Sequence, residues 1–169
     1  GAHDGVKNSN TFYYEKNKGW KGILIEPSNY FTELIKNRSK KNKFFKVICT
    51  PFNYKKKIRL NQYGDYSTCD ELVTKRYLDW QNKKKVKVKM PLDKKKNIIV
   101  KTLPLNEILE KVKAPKVIDF FSLDVEGSEL AVLKGINFKK FKFKYLLIET
   151  TFESKKLKQF LKKKNYFFK

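Results

Sequence analysis

Histidine is almost missing from this chain. His3 stands alone, so no site with two histidine ligands can form. Cysteine is nearly as scarce. Cys49 and Cys69 show neither a CxxC pair nor metal-ligand spacing, which excludes a zinc ribbon and a disulfide framework. No secretory leader is visible, and we read both as reduced thiols of a cytoplasmic protein. No apolar run approaches the roughly 20 residues of a membrane-spanning helix. The dinucleotide pattern G-x-G-x-x-G is absent, which argues against a nicotinamide enzyme. No internal repeat is present.

Basic residues, by contrast, are abundant: 40 Lys and Arg stand against 17 Asp and Glu, for a net charge of +23. Such a coat attracts polyanions and releases their counterions. Yet only Arg38, Arg59 and Arg76 are arginines, and arginine is the better bidentate reader of phosphates and bases. The lysine runs are short and flank expected elements, so we read them as solvated faces. A length of 169 residues suits one domain, and Phe and Tyr can fill its core.

Five short apolar runs read as strands: GILIEP (22–27), FFKVICT (44–50), VIDFFSLDV (117–125), YLLIET (145–150) and YFFK (166–169). Most are continuous rather than alternating, the pattern of strands covered on both faces. Helical spacing lies between them in SNYFTELIKN (28–37), LNEILEKVK (105–113), SELAVLKG (128–135) and SKKLKQFLKKKN (154–165). Alternating strand and helix predict an α/β domain with a mostly parallel sheet. Residues 61–104 break the rhythm. There YGDYSTCDE (63–71) reads as a loop, and VKVKM (86–90) with IIVKTL (98–103) as a hairpin about a DKKKN turn.

In an open parallel sheet, ligands bind beyond the carboxyl ends of the strands. Three features are expected to meet there. GAHDGVKNSNT opens with Gly1 and Gly5 around a turn, followed by a helix running to about Gly19. Glu26 ends GILIE, where a carboxylate can accept both hydroxyls of a ribose. Asp124, Glu126 and Glu129 then crowd the end of VIDFFSLDV in a chain otherwise poor in acid. Glu129, in a first helical turn, complements the helix dipole. Asp124 and Glu126 sit where strand becomes loop.

These residues resemble one family, the FkbM-type S-adenosylmethionine-dependent methyltransferases. GAHDG followed by Ser and Thr looks like its first motif, GILIEPS its second-strand acid, and LDVEGSELAVLKG its most distinctive signature. YLLIET is similar to the strand after that signature, and VKTLPLNEIL to the segment before it. The resemblance implies a Rossmann-like class I methyltransferase fold over 1–169, with an irregular insertion near 61–104. In that family an apolar strand ending in an acid precedes the first motif. Here the sequence begins at the glycine, so the domain reads as truncated before its first strand, and the first and fourth strands are not expected to pair.

The resemblance also implies S-adenosylmethionine as cofactor and a hydroxyl of a sugar, glycan or secondary metabolite as acceptor. Carried over by position, Gly1, Ala2, His3 and Gly5 would line the cofactor's methionine end, Glu26 would hold its ribose, and Thr50 with Phe52 would border its adenine. Asp124 or Glu126 would orient and deprotonate the acceptor, with His3 as another candidate base. No metal is included. Tyr63, Tyr66 and Trp80 of the insertion are candidates to stack on a sugar ring. Two other readings stand beside this one: a nucleic-acid methyltransferase, which the charge favours but the missing NPPY and Pro-Cys motifs do not, and a non-catalytic basic interaction module.

Overall fold

The computed structural model describes residues 1–88, 97–150 and 154–168. Helix α1 (Phe12–Lys18) ends at Gly19 in the left-handed region, where the Gly19 N–H returns to the Tyr14 carbonyl. Strand β1 (Ile23–Ile25), helix α2 (Phe31–Asn37) and strand β2 (Lys43–Phe45) form a βαβ unit, and the two strands pair in parallel from Ile23 opposite Lys43 to Ile25 opposite Phe45. Strand β3 (Ile48–Thr50) follows directly but joins another sheet. FFKVICT is thus two strands rather than the single one expected.

The insertion differs most from expectation. Strand β4 (Lys57–Leu60) pairs antiparallel with β5 (Ile98–Pro104), which also pairs in parallel with β3. Between β4 and β5, helix α3 (Lys75–Val88) contains most of VKVKM, which is therefore not a hairpin strand. Its lysine-rich run, with Arg76, Leu78 and Gln81, favours helix, and this outweighs a brief alternation of valine and lysine. Met90 and most of the DKKKN turn lie outside the described residues.

Helix α4 (Leu105–Lys111) leads to strand β6 (Val117–Leu123), helix α5 (Glu129–Lys134), strand β7 (Lys142–Ile148) and helix α6 (Ser154–Lys162). Strands β6 and β7 pair in parallel from Val117 opposite Lys142 to Leu123 opposite Ile148. YFFK forms no strand over its described residues 166–168. Tyr166 instead turns into the core beside Phe138, its hydroxyl accepts the Phe143 N–H at 2.8 Å, and Phe167 is left exposed. The main core gathers Ile108, Leu109, Leu123, Val132, Leu133, Phe138, Phe143, Leu157 and Leu161. A second cluster, Ile48, Ile58, Leu60, Cys69 and Val100, lies under the insertion.

The result is a mixed α/β fold with short, mainly parallel sheets. Strands β1 and β6 fall in separate sheets and do not pair with each other. The chain's first two residues span the gap at the carboxyl ends of these strands. The Gly1 ammonium donates to the Asp124 carbonyl, and the Ala2 N–H donates to the Ile25 carbonyl at 3.0 Å. No helix among the described residues is long and apolar enough to cross a membrane.

Candidate active site

A cleft opens between β1 and β6, and its mouth lies at the carboxyl ends of the two strands. Ile23, Leu24 and Ile25 line one wall, and Ile118, Phe120 and Phe121 line the other. Gly1, Ala2, His3, Glu26, Asp124 and Glu126 stand at its strand-end mouth. Residues far apart in the sequence are thus brought to one rim by the carboxyl ends of two strands.

Glu26 is buried at the tip of β1. Its Oε2 accepts the His3 N–H at 2.8 Å and its Oε1 accepts the Ser28 N–H at 2.9 Å. These two bonds fold the first loop and the β1–α2 turn around one carboxylate. An ionised carboxylate offers about four acceptor positions, so capacity is left for a ligand's hydroxyls. Space beside Gly1 is tight: a Cβ there would stand 3.2 Å from Glu26 Oε2 and 3.3 Å from the Asp124 carbonyl, so a side chain would require these neighbours to give by a few tenths of an ångström.

His3 lies at the rim but is turned to neighbouring carboxylates. Its Nε2 is 3.1 Å from Asp65, its Nδ1 is 3.6 Å from Asp4, and its ring lies on Tyr30. Gly5 does not line the cleft. It is buried against α2, where a Cβ would meet Leu34 and Arg38 within 2.7 Å. Thr50 and Phe52 do not line it either: Thr50 is buried behind Gly135, and Phe52 is exposed. Cys49, next to Thr50, does reach the cleft, and burial pushes its thiol up to about 12.

The acidic turn is divided among three roles. Glu129 is buried, and its Oε1 accepts the N–H groups of Val125 at 3.0 Å and Gly127 at 3.2 Å. Burial raises its carboxyl above the ordinary glutamate value despite those bonds. Glu126 is in the left-handed region at φ 53°, and its Oε2 accepts the Tyr77 hydroxyl at 2.6 Å. Asp124 is exposed at the rim. Asp124, Glu126 and Glu149 each place a carboxylate oxygen within 4.8 Å of the others, a spacing a hard cation could bridge.

Two important residues escaped sequence reasoning. Arg38 is buried beneath the first loop. Its Nε donates to Glu15 at 2.6 Å, and its other nitrogens reach the Gly5 carbonyl at 2.9 Å and the hydroxyls of Ser9 and Thr11 at 3.2 Å. The available clue was its rarity, since a rigid donor fork is what lysine cannot supply. Tyr77 gave no local clue at all. Among the aromatic candidates in the insertion, Tyr66 lines the cleft, whereas Trp80 packs on Tyr77 with ring centres 5.5 Å apart.

A glycine-led loop, a strand-end carboxylate and an acidic turn thus meet around one cleft of an α/β protein, at the strand ends where such folds place ligand sites. The family comparison sharpens that class: the methyltransferase FkbM domain matches residues 1–168, and the chain belongs to this family. No curated protein and no solved structure matches it.

Proposed function

We propose that this chain is an S-adenosylmethionine-dependent O-methyltransferase of Rossmann-like class I architecture, acting on a hydroxyl of a sugar, glycan or secondary metabolite. The observation that carries this reading is the meeting of Gly1, Glu26 and Asp124 at one cleft mouth. The residues suit the cofactor. Glu26 is a buried carboxylate with acceptor capacity left for a ribose, and the bare Cα of Gly1 keeps the space beside it clear.

When bound, S-adenosylmethionine supplies an electrophilic methyl group on a sulfonium. The chain's part is to bind, align and accept a proton. Glu26 holds the ribose, and the backbone of Gly1, Ala2 and His3 lines the methionine end. Asp124 or Glu126 orients the acceptor hydroxyl and takes its proton, a role that needs hydrogen-bond reach and exclusion of water. His3 is the weaker base candidate because both its ring nitrogens already face carboxylates. Tyr66 is the cleft-lining aromatic placed to stack on a sugar ring. Two free thiols, a buried Cys69 and a half-buried Cys49, suit a reducing compartment, and the cytoplasm is the setting we propose.

The test incubates the protein with isotope-labelled cofactor and candidate glycans and reads the products by mass spectrometry. Asp124→Asn and Glu126→Gln are expected to lower turnover roughly 100-fold or more between them while cofactor binding persists. Unchanged turnover in both variants removes these carboxylates from the chemistry.

A further inference from the structure

We propose that Tyr77 is a positioning residue that reaches in from the insertion and sets the direction of the Glu126 carboxylate. The inference rests on the methyltransferase reading above and names the element that governs its acceptor side. Tyr77 is only 1% exposed, and its hydroxyl donates to Glu126 Oε2 at 2.6 Å. A second hydroxyl from the same segment, Thr68 Oγ1, donates to the Glu126 carbonyl at 3.1 Å. One donor therefore holds the side chain and the other holds the backbone of the same residue. Both come from residues roughly 50 to 60 positions earlier in the chain.

The turn is shaped to receive the tyrosine. Gly127 has φ 92°, and a Cβ there would stand 2.6 to 2.8 Å from ring atoms of Tyr77. Glu126 adopts a left-handed backbone, which L-residues with a long side chain disfavour. A ring seated where Gly127 has no side chain, with a phenol on the next carboxylate, fixes both the backbone and the χ angles of Glu126. Burial, reinforced by the Glu126 charge, raises the Tyr77 hydroxyl above its ordinary value, so it remains a donor across the physiological range. A charge-assisted O–H···O⁻ bond is among the stronger and more directional protein hydrogen bonds. The insertion thus holds the acceptor carboxylate through Tyr77 and Thr68, while its contacts to the first loop run through a different residue, Asp65.

The experiment compares wild type, Tyr77→Phe, Glu126→Gln and the double variant. On the acceptor identified by product mass, Tyr77→Phe is expected to lower kcat about tenfold or more and leave the cofactor Kd within about twofold. The double variant is expected to be no slower than Glu126→Gln alone, because both changes act through one carboxylate. A Tyr77→Phe enzyme with wild-type kcat, or losses that multiply in the double variant, overturns the proposal. Amide hydrogen exchange over residues 125–128 supplies a readout that needs no acceptor. Tyr77→Phe is expected to speed it at least tenfold, and unchanged exchange overturns the proposal. If the wild type methylates nothing while exchange responds as expected, the reaction assignment fails and the hold on Glu126 stands.

Discussion

The two loops that meet at the cleft mouth are fastened by different chemistry. Residues 1–11 are held from beneath by a charge: the Arg38 guanidinium binds Gly5, Ser9 and Thr11 while pairing with Glu15. Residues 124–128 are held by hydroxyls and by a carboxylate that burial pushes upward, through Tyr77, Thr68 and Glu129. The first set comes from α1 and the residue that ends α2, with Asp65 of the insertion adding contacts to His3 and Lys7. The second set comes partly from the insertion, through Thr68 and Tyr77.

Breaking the charged fastening should have the largest effect. Arg38→Met removes a guanidinium whose side chain is 3% exposed and leaves the Glu15 carboxylate, 11% exposed, without its cation. Stranding one partner of a buried pair costs about 3 kcal/mol or more. Urea unfolding is expected to show that loss, and cofactor binding is expected to weaken with it. A loss below about 1 kcal/mol would mean that the charged fastening is ornamental.

Acid titration sharpens the contrast with a smaller effect of opposite sign at the two loops. Burial alone would raise Glu15, but the Ser39 N–H, Arg38 and Asn42 outweigh it and hold the carboxyl below its ordinary value. Its contribution is therefore present above the unfolded-chain value of about 4.3 and is lost as pH falls through the lower folded value. Glu129 lies above its ordinary value, so its contribution is present at low pH and is lost as pH rises through the raised value. Glu15→Gln should be least stable relative to wild type near pH 7 and converge with it in acid. Glu129→Gln should gain on wild type as pH rises, since a Gln carbonyl can still accept the Val125 and Gly127 N–H groups. Urea midpoints from pH 3 to 8 check both, and slopes of the same sign would break the comparison.

Legibility in the sequence followed the range of the interactions. Strands β1 and β6, the stop of α1 at Gly19 and the stop of α5 at Gly135 were readable because continuous apolar runs and punctuating glycines act locally. Glu26 and the acidic turn were readable because strand ends project to one rim. The helix over Lys75–Val88 was hidden by a valine–lysine alternation. Gly5 was assigned to the ligand side, but it serves packing, because Arg38 and Leu34 occupy the space a side chain would need. Tyr77 was invisible because its partner is supplied by the tertiary fold alone.

The central claim is that a strand-end glutamate grips a ribose at the mouth of the cleft. Calorimetric titration of S-adenosylmethionine into wild type and Glu26→Gln tests it most directly, since the amide can still accept a backbone N–H but carries no charge for the diol. The account predicts saturable one-to-one binding to wild type and an affinity about tenfold or more lower in the variant, a loss of roughly 1.4 kcal/mol or greater. Equal affinity in the two proteins would contradict it.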